Sequence, residues 1–224
     1  YSPIVGSIAS PSITEIKRRA GDFFATQNRA VTTKDYESLI YGMPPQFGAI
    51  KRCKILKDSD SFKRNLNLYV LGESSTETLV EASILLKENL KVWIEKVKMV
   101  NDTIDIIDGR VVNFGVDFGL ISDPEFNKYD VLQRAITAVS QLYKEPRYFG
   151  EPIYITDVYS LLNKTRGVID VYDVKFVKKN GGSYSDTTYN FKQNMSADGR
   201  YLIVPENVCM EMKFPKSDIK GVVK

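Results

Sequence analysis

The sequence is most informative at Asn28-Arg29-Ala30-Val31-Thr32-Thr33-Lys34-Asp35-Tyr36-Glu37. Thr32 and Asp35 have the spacing of a capping box, in which the threonine hydroxyl and the acid each satisfy a free amide at a helix start. Val31 precedes that cap, where a hydrophobic staple begins, and Tyr36 is the first large side chain inside the helix. The pattern predicts a folding junction, with Tyr36 filling the core, and not an active site.

Outward from this junction, the chain predicts an α+β fold: small mixed sheets packed by amphipathic helices, with a C-terminal β-rich extension. Residues 1–45 are interpreted as a helical segment that contains the junction. Residues 46–180 form an α/β body, with a division into two strand–helix units, 46–108 and 109–180, as an alternative. Residues 181–224, where the composition becomes rich in Tyr, Asn and Ser, are the β-rich extension.

Periodicity predicts the individual elements. Ala49–Leu56 and Asn65–Leu71 alternate as the strands of a hairpin. The clearest helix follows and runs to Val97, with Ser74 and Glu77 at capping-box spacing. The later predictions are strands at Val97–Val100, Ile104–Ile107 and Arg110–Ile121 with a hairpin turn at Asp108-Gly109, helices at 123–143 and Thr156–Leu162, and strands at Val168–Val177, Thr187–Lys192, Tyr201–Val204 and Val208–Phe214.

Composition narrows the chemistry. The chain has 224 residues and no histidine, which excludes Ser-His-Asp and Cys-His pairs and histidine-ligated metals. Cys53 and Cys209 stand far apart and outside any CxxC pattern, so two buried free thiols are favoured over a disulfide. No phosphate-binding glycine loop occurs, and no apolar run reaches the length of a membrane helix. We therefore expect no enzyme activity, cofactor or metal.

Several charged groups are candidates for a metal, catalytic or nucleic-acid site. Asp102, Asp105 and Asp108 recur every three residues, which does not fit a calcium loop and predicts solvated turn and edge residues. Ser217 and Lys220 match Ser-x-x-Lys without any companion motif, which indicates chance. Acidic and basic residues nearly balance, 28 against 31, so the basic clusters are interpreted as soluble sheet edges in preference to a nucleic-acid surface. These clusters are Lys51-Arg52-Lys54-Lys57 and Lys175-Lys178-Lys179.

Tyrosine is the one abundant functional group, with 13 residues. Core packing and a protein interface both explain such an abundance, because a rigid ring gains contact area at little entropic cost. Both explanations stay open at this point. The candidate interface residues are Tyr143, Tyr148, Phe149, Tyr184, Tyr189 and Tyr201.

Residues 28–37 resemble the Asn-Arg-Ala-Val-Thr-x-x-Asp-Tyr signature of baseplate J-like proteins. The segments 150–153 (Gly-Glu-Pro-Ile) and 167–171 (Gly-Val-Ile-Asp-Val) also resemble that family, and the resemblance covers roughly residues 10–177. It is strongest to the C-terminal, J-like part of baseplate wedge proteins of large contractile-tailed phages. The signature residues Asn28, Arg29, Ala30, Val31, Thr32, Asp35 and Tyr36 then have a structural role.

The resemblance implies a structural virion subunit in the tail baseplate, assembled in the host cytoplasm. It implies self-association as a homodimer or ring and contacts with other wedge proteins, with no nucleic acid, membrane insertion or small-molecule substrate. Because the chain does not begin with Met, we also expect it to be a fragment of a longer protein. The alternatives are a lysozyme-like tail enzyme that uses carboxylates and a DNA-contacting module.

Overall fold

The computed structural model describes residues 11–58 and 65–224. The chain divides into two compact units, the first ending at Gly109 and the second running from Arg110 to Lys224. Each unit combines helices with a mixed β-sheet, which confirms the predicted α+β class. Within the described ranges, no helix has the length and apolar character needed to span a membrane.

The first unit is built around strand β2 (Asn65–Glu73), which has β1 (Arg52–Lys57) antiparallel on one edge and β4 (Thr103–Asp108) parallel on the other. The short strand β3 pairs with the end of β2. The predicted hairpin of β1 and β2 is therefore confirmed. In chain order the elements are helix α1 (Ile13–Thr26), helix α2 (Thr33–Tyr41), a 3-10 turn (Pro45–Phe47), β1 (Arg52–Lys57), β2 (Asn65–Glu73), β3 (Leu79–Val80), helix α3 (Ile84–Glu95) and β4 (Thr103–Asp108).

The core of the first unit lies between one face of β2 and the helices α2 and α3. Alternate residues of β2 are buried, as expected where one face of a strand meets a helix. On α3 the buried residues are spaced by four, which forms the matching apolar stripe. The central residues of this core are Leu68, Val70, Leu86, Leu90, Ile94, Tyr36, Leu39 and Ile40.

In the second unit the long strand β5 is central. It pairs antiparallel with β7 along one edge, and its two parallel partners are β9 and β10. A separate ribbon joins β6 to β8. The elements are β5 (Arg110–Ser122), helix α4 (Lys128–Leu142), β6 (Ile153–Tyr154), helix α5 (Ile155–Asn163), β7 (Val168–Lys179), β8 (Tyr201–Leu202), β9 (Val208–Glu211), helix α6 (Pro215–Asp218) and β10 (Ile219–Val223).

The core of the second unit is formed by the even-numbered residues of β5, Val112 to Leu120, against α4 and α5. Phe114 lies at its centre, where the rings of Tyr143 and Phe176 meet it edge-on at centroid distances of 5.2 and 5.9 Å. Val131, Ala135 and Val139 supply the buried stripe of α4, and Val158 and Leu162 that of α5. The predicted strand at 168–177 is confirmed as β7, and both cysteines of the chain, Cys53 and Cys209, are buried free thiols.

The predicted start of the long helix is wrong. Ser74 and Glu77 do not form a capping box; the amide of Ser74 donates to the carbonyl of Thr78 in a turn, and Glu77 has a φ of 60°. That turn returns the chain to the sheet as β3. The helix begins nine residues later than the predicted cap, with Ser83 as its N-cap, whose hydroxyl accepts from the amide of Leu86.

The predicted hairpin at Asp108-Gly109 is also wrong. β4 pairs in parallel with β2, and β5 pairs with β7, β9 and β10, so the two strands flanking Gly109 belong to different sheets. A turn signal between alternating strands indicates a change of direction but does not identify the partner strand.

Two further predicted strands are absent from the structure. Residues 97–100 form turns after α3, where the carbonyl of Val97 accepts from the amide of Ala30. Residues 187–192 have irregular backbone. They contact the second unit through the side chains of Tyr189 and Phe191. Around Asp198-Gly199 the strand pairing is limited to a single bridge, Met195 to Leu202. Thr156 lies inside α5, whose N-cap is Tyr154.

Candidate functional site

The predicted capping box at the start of α2 is confirmed. The hydroxyl of Thr32 accepts from the amide of Asp35 at 3.2 Å, and Asp35 Oδ2 accepts from the amides of Thr32 and Val31 at 2.8 and 3.2 Å. Burial raises the pKa of Asp35, but these hydrogen bonds, with help from the charge of Arg29, outweigh it and hold the pKa below its ordinary value. The carboxylate is therefore used to begin the helix.

Tyr36 connects this helix to a distant part of the first unit. Its side chain is buried, with 1% of the residue exposed. Its hydroxyl donates to Asp102 Oδ2 at 2.8 Å and accepts from the amide of Met99 at 3.1 Å. The amide of Ala30 adds a bond to the carbonyl of Val97 at 3.1 Å. The loop before α2 and the segment after α3 are thus joined by side-chain and backbone hydrogen bonds; we call this group of contacts the Tyr36 junction.

The protonation of Tyr36 follows from its surroundings. Burial, with the carboxylate of Asp102 beside the hydroxyl, raises the pKa of Tyr36 to about 12. The phenol is neutral at physiological pH and remains a donor to Asp102. Asp102 was predicted to be a solvated turn residue; that is wrong, because it is only 8% exposed and accepts the tyrosine's hydrogen bond.

A cavity of about 640 Å³ opens beside the Tyr36 junction. Tyr36 and Asp102 line it, and the hydroxyl of Tyr36 already donates to Asp102 Oδ2. Among the residues that the structure describes, no group of three Cys, Asp or Glu side chains is arranged to hold a metal ion. The remaining lining residues are Val31, Thr32, Thr33, Lys57, Asp58, Asn65, Leu66 and Met99. The described lining therefore supplies hydrogen-bond donors and acceptors.

Two ion pairs are buried in the first unit. Arg52 Nη1 lies 2.7 Å from Glu15 Oε1, with side-chain exposures of 1% and 6%. Lys51 Nζ lies 2.9 Å from Glu73 Oε1, also largely buried. Burial raises the pKa of Glu15, but the charge and hydrogen bond of Arg52 more than offset this, so the pKa is below its ordinary value. The interpretation of Lys51 and Arg52 as soluble edge residues is therefore wrong; their opposite charges lie in α1 and β2.

The rest of the signature is at the surface or in the backbone turn. Asn28 has a φ of 60°, in the left-handed region that asparagine tolerates well, directly after Gln27 ends α1. Ala30 is fully buried, whereas Val31 is 57% exposed. Asn28 to Thr32 therefore form the turn that links α1 to α2, whereas Asp35 and Tyr36 lie inside α2. The structural role of these residues in the family sense stays a prediction.

The candidate interface residues all lie in the second unit. Tyr143 and Phe149 are buried inside it. The hydroxyl of Tyr184 donates to Asp218 Oδ1 at 2.6 Å, and that of Tyr189 donates to the carbonyl of Ile203. Tyr148 is half-buried. Tyr201, at 36% exposure, packs its ring on Tyr154 at 5.6 Å. Their use in an interface stays a prediction.

The partners that hold these sites together could not be predicted from the sequence. Tyr36 and Asp102 are 66 residues apart, and Arg52 and Glu15 are 37 apart. Asp218, which is fully buried, accepts hydrogen bonds from the hydroxyl of Tyr184 and from the amide of Phe214. A buried acid surrounded by polar sequence has no periodic signal of its own.

The class defined by this fold is an α+β protein of two sheet-and-helix units with a hydrogen-bonded junction in the first. No family model matches the chain, and no curated protein matches it. Among solved structures, it is similar to a chain in the cryo-EM structure of the baseplate of the anti-feeding prophage, determined with six-fold symmetry, with a TM-score of 0.52 and 12% identity. The similarity covers 90% of this chain and 42% of the baseplate chain, so this chain spans less than half of that protein. At this identity the likeness shows a shared fold.

Proposed function

We propose that the chain is a non-catalytic structural subunit of a contractile-tail baseplate. The observation that carries this proposal is the fold it shares, over 90% of its length, with a chain of the anti-feeding prophage baseplate. The resemblance of residues 28–37 to the J-like signature is an independent sequence argument for the same class of protein.

The chemistry of the Tyr36 junction agrees with a structural role. Its polar groups are already engaged with one another: Tyr36 with Asp102 and Met99, Thr32 with Asp35. A tyrosine whose pKa is raised to about 12 is a poor general base or acid at neutral pH. The same contacts hold α2 against the segment after α3.

We further propose that the subunit associates with copies of itself and with other wedge proteins. Large exposed apolar side chains support this, because contiguous apolar surface marks interaction sites. On α1, Phe24 is 88% exposed and Ile13 is 73% exposed, and Ile16 and Phe23 are also at the surface. In the second unit Tyr201, at 36% exposure, is the most exposed of the six candidate interface residues.

The proposal is tested by locating the chain in assembled particles by electron microscopy at a resolution that traces side chains. The expected result is density for this fold in the baseplate, with copies touching one another or other baseplate chains. Its absence from the baseplate would overturn the structural role. Crosslinking within the same particles tests self-association separately. If copies of this chain crosslink only to different proteins, the self-association proposal fails and the baseplate role stands.

The enzyme alternative has its own measurement. Purified chain is incubated with peptidoglycan, with hen egg-white lysozyme as the positive control, and the release of soluble fragments is followed. We expect no release above buffer. Turnover that is lost on replacing a single carboxylate would replace the structural proposal with a catalytic one.

A further inference from the structure

One edge of the second sheet is unpaired. β7 pairs with β5 along one edge, and no strand in the described part of the chain pairs with its other edge. In an antiparallel pair, every second residue points its amide and carbonyl away from the partner. About half of the backbone amides and carbonyls of this strand, which is 12 residues long, therefore point away from β5.

A groove runs along this edge. Its cavity measures about 630 Å³ and is lined on one side by the consecutive residues Lys175, Phe176, Val177 and Lys178. Successive side chains of a strand point to opposite faces, so a cavity lined by four in a row lies along the edge of the strand and not on one face. The opposite side consists of residues 188–192. We call this space the β7 slot.

The side opposite β7 is held in place by its own contacts. Phe191 is buried in the core, and the hydroxyl of Tyr189 donates to the carbonyl of Ile203. The side chain of Asn190 accepts from the amide of Lys192 at 3.1 Å, and its carbonyl accepts from Asn194 Nδ2 at 2.8 Å. The slot is therefore formed before anything binds, which lowers the entropic cost of binding.

The charge in the slot has one sign. Lys175, Lys178 and Lys192 line it, and no acidic residue does. Lys175 is engaged by Asp173 at 2.6 Å, but within the described residues Lys178 and Lys192 form no ion pair. Lysines alone also keep an exposed edge from pairing. Protection of the edge by lysines, however, does not explain why Tyr189 and Phe191 face that edge across a groove.

We propose that the β7 slot binds an extended, acidic segment of a partner chain, which adds to the sheet as a strand beside residues 175–178. The backbone of the segment bonds to the free edge, as in other cases of strand addition, while its acidic side chains pair with Lys178 and Lys192. Tyr189 and Phe191 contact its apolar side chains. This docking surface does not depend on the baseplate role, because it follows from the edge, the groove and the charge.

The test uses the whole chain and a fluorescein-labelled octapeptide of alternating valine and glutamate, with binding followed by anisotropy. Two comparison peptides are used: one with lysine in place of glutamate, and one with alternate backbone amides N-methylated. We expect saturable binding of the acidic peptide and much weaker binding of both others, because one reverses the charge and the other removes backbone donors. No binding of the acidic peptide, or equal binding of the methylated peptide, would overturn the proposal.

Variants locate the binding site. The double variant Lys178→Glu/Lys192→Glu should weaken the acidic peptide about tenfold or more, from two lost rim ion pairs and added repulsion. The matched control is Lys164→Glu/Lys216→Glu, which makes the same charge change at exposed lysines outside the slot. If the reversed variant is not folded by circular dichroism, Lys178→Gln/Lys192→Gln takes its place. Equal loss of affinity in both pairs of variants would show a general charge effect and refute the slot.

Hydrogen exchange gives a second readout that charge alone does not move. When the acidic peptide binds, the outward-facing amides of residues 175–178 should exchange more slowly, because they become donors in a new ladder. Protection confined to other regions of the second unit would also contradict the proposal.

Discussion

Replacing Tyr36 by phenylalanine removes one oxygen from the Tyr36 junction and keeps the ring. The hydroxyl that donates to Asp102 at 2.8 Å and accepts from Met99 at 3.1 Å is lost, which leaves a carboxylate at 8% exposure without that donor. Hydrogen bonds to charged groups contribute about 1.5–3 kcal/mol, and the partly accessible Met99 amide adds less. We expect Tyr36→Phe to lower the free energy of unfolding by about 2–4 kcal/mol. Tyr36→Ala should cost at least as much, about 3–5 kcal/mol, because the cavity of the ring is added.

The first unit carries its own probe for this measurement. Trp93 is the one tryptophan of the chain, and its indole donates to the carbonyl of Leu39 at 3.0 Å, next to the core that Tyr36 fills. Urea unfolding followed by Trp93 fluorescence therefore reports on the first unit even if the two units unfold separately. The comparison of variants uses the midpoint and slope of this transition.

The matched control is Tyr69→Phe. Tyr69 is half-buried in β2, and within the described residues its hydroxyl has no hydrogen-bond partner, so the same atom is removed without breaking a contact. We expect an effect within about 0.5 kcal/mol, as for most substitutions away from buried networks. Equal costs for Tyr36→Phe and Tyr69→Phe would refute the argument that the hydroxyl of Tyr36 stabilises the junction.

The same residue predicts a dependence on alkaline pH. The pKa of Tyr36 is raised to about 12 in the folded chain from 10.0, so the folded state prefers the neutral phenol. Its contribution is complete below about pH 10 and is lost as pH rises toward about 12, because the unfolded tyrosine ionises first. The difference in unfolding free energy between wild type and Tyr36→Phe should shrink over this window. A difference that stays constant across it would contradict the burial of a neutral phenol.

The remaining predictions concern three other contacts, each measured by urea unfolding at neutral pH. Thr32→Ala removes the N-cap of α2 and should cost about 0.5–2 kcal/mol, with Thr32→Ser restoring most of it; no cost would mean that the cap is unimportant. Arg52→Met removes the guanidinium that is paired with the buried Glu15 and should cost about 3–5 kcal/mol. Glu15→Met/Arg52→Met should cost less than the single variant, and a larger cost of the double variant would contradict this interpretation. Gly115→Ala should cost about 1–3 kcal/mol, because the added Cβ would meet the backbone carbonyl oxygen of Asp218 at 2.5 Å; wild-type stability would show that the backbone yields there.

Local chemistry in the sequence predicted local structure well. The capping box of Thr32 and Asp35 is present, since it depends on residues three apart. The hairpin of β1 with β2 and the strand β7 were also visible, because alternation repeats within each segment. These features need no knowledge of which distant segment lies opposite.

The features that sequence reasoning missed depend on partners far along the chain. Nothing near Asp102 indicates that a tyrosine hydroxyl 66 residues earlier binds it. Lys51 and Arg52 have the composition of a soluble edge, and only the positions of Glu73 and Glu15 in space make them buried ion pairs. The fold class follows from pattern, whereas the candidate site follows from pairings that a pattern does not contain.

The central position of β5 has a consequence for the rate at which the second unit folds. Its parallel partners come from far along the chain: Arg110 lies opposite Val208, and Val116 lies opposite Ile219. Closing loops of this length costs entropy before any contact repays it, and parallel ladders built from distant segments form slowly. The β1–β2 hairpin of the first unit brings together residues as close in sequence as Lys57 and Leu66. After dilution from urea, tryptophan fluorescence should therefore recover ahead of the hydrogen-exchange protection of β5. A newly made chain then passes through a period in which its β1–β2 hairpin is paired while the second sheet still exposes the edges of its central strand.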